Sequence, residues 1–310
     1  MTWNNAWKAF NKKEAFAPEC KERGSKYPHK LSELSEDGRA IVGVDVSVWL
    51  HSDLAYKGVY SASAITPPVP NVEGIQRFFN RVAILEKANV TPWFIFDGRR
   101  FSAKEATDEE RSSTVDEAKA RLNELCRNPS LQKIKQVDQC LKNMARPDEK
   151  YVSQIVLELK KRGHVVIGAP IEADAQLVYL ESEGYVDALM SPDGDLLALG
   201  CSKLVADVNW QTSECFIVTC DDVFERGGNK KADFNGAWDA WETFAVASCF
   251  MGNDYIDPLR KINGKNALPW PTLLNAAKGY VQLEGEEAHE YLEEFADSHS
   301  FADSPSQAAG

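Results

Sequence analysis

The chain has 310 residues, 44% hydrophobic and 26% charged, with 47 acids against 35 bases for a formal net charge of −12. No apolar run approaches the ~18–20 residues of a membrane span, and the start, Met1-Thr2-Trp3-Asn4-Asn5, lacks the basic and apolar regions of a signal peptide. The acidic excess first argues against a nucleic-acid binder, which is usually basic. Eight of the acids and none of the bases lie in residues 281–310, however, which leaves −4 for residues 1–280.

Residues 1–40 are polar and weakly periodic, with Trp3, Trp7 and Phe10 spaced for a short amphipathic helix. Ile41–Asp45 is an apolar run ending in an acid and reads as a buried strand. Three prolines, Pro67, Pro68 and Pro70, mark 56–72 as loop. Ile75, Phe78, Phe79, Val82 and Leu85 recur at helical spacing. Trp93–Phe96 is a second apolar strand, followed by Asp97.

Residues 99–162 hold fifteen Lys or Arg against eleven acids and carry only a thin apolar stripe. They predict long, widely exposed helices, closed by a packed helix through Val152, Ile155, Val156 and Leu159. Residues 165–168 and 186–190 read as strands around a helix over 172–183. Further strands are expected at 204–208 and 215–218, and helices at 238–251 and 265–278. An acidic helix then leads into a Ser/Ala/Gly tail. Alternating strands and helices predict an α/β fold with a mostly parallel sheet. The seven cysteines, Cys20, Cys126, Cys140, Cys201, Cys215, Cys220 and Cys249, are scattered without a Cys-x-x-Cys. They read as reduced thiols rather than a zinc site.

In such sheets ligands bind where strands end, and these ends carry carboxylates. Asp45 and Asp97 end two strands. Glu172 and Asp174 follow a third, Asp193 and Asp195 a fourth, and Asp254 lies in Met251-Gly252-Asn253-Asp254-Tyr255. Any one Asp after a strand is as readily a turn former or helix cap. Acids gathered on one face are costly unless a cation neutralises them. Hard oxygen donors suit Mg²⁺ or Mn²⁺.

The local sequences around these acids resemble the flap endonuclease/XPG family of structure-specific 5′ nucleases, closest to its exonuclease one branch. The resemblance rests on Val44-Asp45 with Trp49-Leu50-His51, on Phe96-Asp97-Gly98, on Ala169-Pro170 with Glu172-Ala173-Asp174-Ala175-Gln176, on Asp193-Gly194-Asp195-Leu196-Leu197-Ala198, and on Gly252-Asn253-Asp254-Tyr255. It covers roughly residues 41–268. It implies a PIN-like fold with a helical arch and a C-terminal helical region, and phosphodiester hydrolysis with two Mg²⁺ ions, Mn²⁺ being able to substitute. Glu172, Asp174, Asp193 and Asp195 would hold the metals most directly, Asp45 and Asp97 would complete the set, and Asp254 would act mainly through water.

The resemblance also implies DNA-contacting residues. Lys104 and Arg111 would rise from the arch toward the scissile phosphate and stabilise its transition-state charge. Read without the family, they are a solvated face that pairs with Glu105, Asp108, Glu109 and Glu110. Arg99 and Arg100 stand at the arch base. His51 would stack on the terminal base, the bland alternative being a histidine packed under the 56–72 loop. Arg260, Lys261, Gly264 and Lys265 fall where the family has a phosphate-gripping hairpin. Lys261 and Asn263 replace its glycines, so that hairpin, and the potassium site that accompanies it, are altered.

The chain is thus expected to divide into 1–40, a poorly matching start; 41–98 and 163–256, the nuclease domain; 99–162, the arch; 257–280, the hairpin region; and 281–310, the acidic tail. The implied partner is DNA with a 5′ end or flap, bound by a nuclear monomer with no membrane attachment and no clear sliding-clamp peptide. The acids alone do not separate DNA from RNA, nor exonuclease from flap cutting, and a catalytically silent binder of nucleic acid or protein is the alternative. Setting the seven proposed metal-site acids aside turns −4 into +3 for residues 1–280, so the net charge does not oppose this reading.

Overall fold

A computed structural model of the chain describes residues 16–34, 38–54, 72–99, 105–127, 130–219, 221–223, 237–250, 270–283 and 285–298. The expected helix around Trp3–Phe10, the loop 56–72 up to residue 71 and the tail after residue 298 lie outside these residues. The chain forms two compact units. One comprises His29–Pro192 and Val205–Ile217; the other comprises Met1–Pro28, Asp193–Leu204 and Val218–Gly310.

The first unit is built on the sheet. The strands are β1 (His29–Lys30), β2 (Ala40–Asp45), β3 (Val90–Phe96), β4 (Val165–Gly168), β5 (Ala188–Met190), β6 (Lys203–Asn209) and β7 (Glu214–Thr219), in the order β1-β7-β6-β5-β2-β3-β4. All of their residues but Lys203, Leu204, Val218 and Thr219 belong to this unit. β2 pairs parallel with β3 and with β5, and β3 pairs parallel with β4. The expectation of a mostly parallel sheet omitted one edge: β1 runs antiparallel to β7, with His29 opposite Cys215. The imidazole Nδ1 of His29 accepts the Ile217 N–H at 3.2 Å and fixes that edge.

β2 is nearly all buried, from Ala40 to Asp45. A continuous apolar run rather than an alternating one is what a parallel strand covered on both faces requires. Helix α2 (Val46–Leu54) follows it directly. α3 (Val72–Lys87) turns Phe78, Phe79, Val82 and Leu85 inward. Trp49 meets Phe78 at 5.4 Å between ring centroids and Phe94 at 6.3 Å, edge to face. This aromatic cluster, with Val42, Val44, Ile155 and Leu159, is the core beside the sheet.

Helices fill 105–127, 131–144 and 149–161, as expected. α4 (Glu105–Arg127) buries little beyond Ala118 and Leu125, and α5 (Ile134–Met144) buries Cys140. Arg121 of α4 reaches Gln136 of α5 at 3.2 Å. α6 (Glu149–Lys161) starts at Asp148, whose carboxylate accepts the Tyr151 N–H at 2.7 Å as an N-cap. It buries Tyr151, Ile155 and Leu159, one face at helical spacing. α7 (Ala173–Ser182) packs on the sheet at Gly43, where a Cβ would lie 2.7 Å from a Leu177 methyl.

The second unit is helical in its described part. α1 (Ala17–Arg23) is a short helix that the weakly periodic start concealed. α8 (Asp195–Ala198) is one turn, and α9 (Ala237–Phe250), α10 (Trp270–Tyr280) and α11 (Glu286–Ser298) follow. Ala247 packs with Leu274 and Ala277, and small residues on both helices allow their close approach. The described cysteines Cys20, Cys126, Cys140, Cys201, Cys215 and Cys249 are free thiols. Among the described residues no helix is long and apolar enough to cross a membrane.

Candidate metal centre

The carboxyl ends of β2, β3 and β4 are neighbours, because these three strands pair in parallel. Asp45, the last residue of β2, is 5% exposed. Its Oδ1 accepts the Ser47 N–H at 3.0 Å, closing an Asx turn into α2, and its Oδ2 accepts the Ser191 hydroxyl at 3.1 Å.

Asp97 follows β3. Its Oδ1 accepts the Ala173 N–H at 2.9 Å, and its Oδ2 accepts the Ser47 hydroxyl in a short hydrogen bond. Asp97 therefore caps α7 from outside the helix. Glu172 occupies the N-cap position without a side-chain capping bond, and Asp174 stands in the first helical turn. The positive end of the α7 dipole offsets part of the repulsion among these acids.

The ends of β3 and β4 are stitched together at Gly98. Its N–H donates to the Ile171 carbonyl at 2.6 Å, Arg99 N–H donates to Pro170 at 3.2 Å, and Ala169 N–H donates to Phe96 at 2.9 Å. A Cβ at residue 98 would overlap the Ala169 carbonyl oxygen. The Phe-Asp-Gly sequence thus has a steric reason for its glycine: only a residue without a side chain lets the two strand ends approach this closely.

Asp45, Asp97, Glu172 and Asp174 are accordingly brought to one end of the sheet in the first unit. Asp193 and Asp195 belong to the second unit. There the Asp195 N–H donates to Asp193 Oδ1 at 3.2 Å, a second Asx turn, and Asp195 opens α8. Burial first, then the charge of Asp195, raises the Cys249 thiol above its ordinary range. Asp254, Arg100, Lys104, Arg260, Lys261, Gly264 and Lys265 lie outside the described residues, as does the side chain of Arg111, whose backbone is in α4. Arg99 is exposed after Gly98, and His51 is exposed on α2.

The groups that hold Asp45 and Asp97 are amides and hydroxyls, and the four acids supply hard oxygens only. That donor chemistry fits Mg²⁺ or Mn²⁺ and disfavours a soft metal. Among the described residues, no three His, Cys, Asp or Glu side chains form a ready ligating group.

Two residues outside the sequence expectations organise this site, Ser47 and Ser191. The signal for Ser47 was an acid followed two residues later by serine, the Asx-turn spacing. A third feature, a buried ion pair, stands behind α2. Asp53, fully buried, meets Arg81 at 2.8 Å and Arg77 at 3.6 Å. Burial pushes the Asp53 carboxyl up to about 6 against the opposing pull of Arg81 and Arg77. Burial likewise pushes the nearby Tyr151 phenol up and the Arg81 guanidinium down.

The XPG N-terminal domain matches residues 19–118 and the XPG I-region matches residues 163–235. Exodeoxyribonuclease 1 of Saccharomyces cerevisiae is 28% identical over 222 residues, 72% of this chain and 30% of that protein. Exodeoxyribonuclease 1 of Schizosaccharomyces pombe is 27% identical over 77% of this chain and 39% of its own length. Exonuclease 1 of Danio rerio is 28% identical over 58% of this chain and 21% of its own length. The chain therefore spans well under half the length of these curated relatives.

Among solved structures, the catalytic core of Rad2 in complex with DNA substrate superposes with a TM-score of 0.55 at 16% identity, covering 91% of this chain and 79% of that one. The Holliday junction-resolving enzyme GEN1 in complex with product DNA and Mg²⁺ gives 0.51 at 18% identity, covering 87% and 53%. These likenesses bear on the fold, a seven-stranded mixed sheet flanked by helices and shared with PIN-like nucleases. With both XPG regions matched in order and exonuclease 1 sequences as relatives, the chain belongs to the XPG family of 5′ nucleases, on its exonuclease branch.

Proposed function

We propose that this chain hydrolyses phosphodiester bonds at DNA 5′ ends or flaps, using two divalent ions held by Asp45, Asp97, Glu172, Asp174, Asp193 and Asp195, with Asp254 acting through water. The observation that carries this reading is Asp97, joined through Ser47 to the Asp45 turn and through Ala173 to the helix end bearing Glu172 and Asp174. That arrangement gathers acids from three neighbouring strands by direct hydrogen bonds, which isolated turn formers would not do. Bound there, Mg²⁺, or Mn²⁺ in its place, supplies activation of a water and stabilisation of the departing oxygen.

The protein's own groups do the rest. Ser47 and Ser191 orient the Asp45 and Asp97 carboxylates. Lys104 and Arg111 stabilise charge building on the phosphate. His51, exposed on α2, stacks on the terminal base. Arg99, Arg100, Arg260, Lys261, Gly264 and Lys265 contact the backbone and position the strand without reading sequence. The exonuclease relatives are in keeping with a nuclear enzyme of DNA repair, and we take its working form to be a monomer.

The experiment is one panel of 5′-labelled substrates: recessed duplex, 5′ flap, single strand, and RNA versions of each. Cleavage should need Mg²⁺, stop in EDTA, and vanish in Asp193→Ala and Asp195→Ala proteins that keep the wild-type circular dichroism. Undiminished cleavage in EDTA or in either variant would sink the reading. Preferential cleavage of the RNA versions would move the substrate class while keeping the chemistry.

A further inference from the structure

A cavity of about 240 Å³ opens in the sheet unit between α2, the end of β5 and the β6–β7 hairpin, with Trp49, Ser52, Arg81, Ser191, Val205 and Trp210 on its walls. Two indoles shape it. Trp49 and Trp210 cross at 83° with ring centroids 5.2 Å apart. The Arg81 guanidinium lies 5.4 Å from one ring centroid and 5.5 Å from the other. Arg81 is fixed in that place by Asp53 at 2.8 Å and by the Ser52 hydroxyl at 3.0 Å.

Size and chemistry narrow the occupant. The cavity is below the ~300–1,000 Å³ of clefts that take whole small molecules, so it suits a flat group that belongs to something larger. Its walls are mostly apolar, and the charge of Arg81 is already balanced by Asp53, so it is not a pocket for a free anion. Trp49 is 4% exposed and packed by Phe78, Phe94 and Arg81, so it forms the floor, and the half-buried Trp210 ring with the Arg81 guanidinium is the surface on which an unstacked nucleobase would lie. The Ser52 and Ser191 hydroxyls donate to the Trp49 carbonyl and to Asp45, so their oxygens face the base edge as acceptors.

Its position relative to the carboxylates is the decisive point. Ser191 lines the cavity and donates its hydroxyl hydrogen to Asp45, so the two sites share a residue. We propose that this cavity receives one unstacked nucleobase of the bound strand, close to the nucleotide whose phosphate meets the carboxylates. The inference rests on the nuclease reading. The site differs from the exposed His51, which would serve the terminal base.

The test uses the full chain and a 5′-recessed DNA duplex carrying one 2-aminopurine, moved position by position along the strand. Binding is measured in EDTA, so that no cleavage intervenes. At one register the fluorescence should be quenched by stacking. The quenching should be lost in Trp210→Leu, which keeps apolar bulk but removes the indole, and kept in Trp210→Phe. Val48→Phe, which narrows the cavity from α2, should also abolish it. In Mg²⁺ the Trp210→Leu variant should show KM raised about tenfold with kcat little changed. Melting curves confirm that each variant is folded. Binding and cleavage with no register that responds to Trp210 or Val48 would overturn this inference alone. Failure of the wild type to bind any of the duplexes would overturn the nuclease reading with it.

Discussion

The hydroxyl of Ser47 donates to the carboxylate of Asp97, a residue fifty positions further along the chain. The N–H of the same serine donates to Asp45 at 3.0 Å. One small side chain at the start of α2 thereby links the acids that end two parallel strands. The Ser47→Ala change keeps the backbone bond to Asp45 and removes the bond to Asp97. Groups that orient metal ligands typically matter by ~10–100-fold in metal affinity or activity. The expected result is a Mg²⁺ requirement raised by about tenfold or more, read from cleavage rate against Mg²⁺ concentration, with Tm nearly unchanged. An unaltered Mg²⁺ curve would show that Ser47 has no orienting role.

Gly98 supplies a prediction about stability. A methyl there meets the Ala169 carbonyl oxygen, which is backbone and has little freedom to move. The strand ends must part, and the Gly98 and Arg99 N–H bonds to Ile171 and Pro170 lengthen with them. Overpacking of this kind costs about 1–3 kcal/mol. Gly98→Ala should therefore lower Tm by several degrees and also impair cleavage, because Asp97 and Glu172 flank the stitched segment. A variant with wild-type Tm would mean that the ends of β3 and β4 have room that the structure does not show.

These two residues mark what the sequence made legible. Asp45, Asp97 and the pair Glu172 and Asp174 were readable as acids near strand ends, because apolar runs precede them and the parallel strands beside them are neighbours. Gly98 was readable as part of a motif, but its close approach to Ala169 is a tertiary fact without local signal. Ser47 and Ser191 were not identified, since a serine after an acid looks the same whether it closes a turn or reaches across the sheet. β1 was missed because two residues have no period; its pairing depends on Cys215, far along the chain. The ion pair of Asp53 with Arg81 was hidden for another reason. Arg77 and Arg81 fall on the polar side of the α3 pattern, and only the fold brings them to the buried Asp53 of α2. The thin apolar stripe of 99–162, by contrast, translated directly into exposed helices, because surface helices follow their own periodicity.

Charge distribution yields a prediction about binding. Residues 99–162, with fifteen Lys or Arg against eleven acids, are a net positive stretch in an otherwise acidic chain. If four phosphates are neutralised there, affinity for a recessed duplex should fall about a hundredfold between about 50 and 200 mM salt. The fall is measured by fluorescence anisotropy without Mg²⁺. A salt-independent affinity would count against this docking.

Asp53 carries the last prediction, on pH. Its carboxyl titrates near 6 in the folded chain and near 3.8 as a free side chain, with burial as the first cause and Arg81 and Arg77 opposing. The folded value is the higher one, so between these pH values the folded chain holds a proton that the unfolded chain has released. Stability from this group is then fully present below the unfolded value and is lost as pH rises through about 6. Asp53→Asn removes the titration and keeps a side chain of similar shape. The Tm of the wild type relative to Asp53→Asn should therefore rise as pH is lowered from 7.5 to 4.5, whatever the variant costs at neutral pH through the exposed charge of Arg81 on its buried side. Parallel Tm profiles for the two proteins would show that the Arg81 ion pair holds Asp53 ionised throughout, and that its attraction outweighs the burial of the carboxylate.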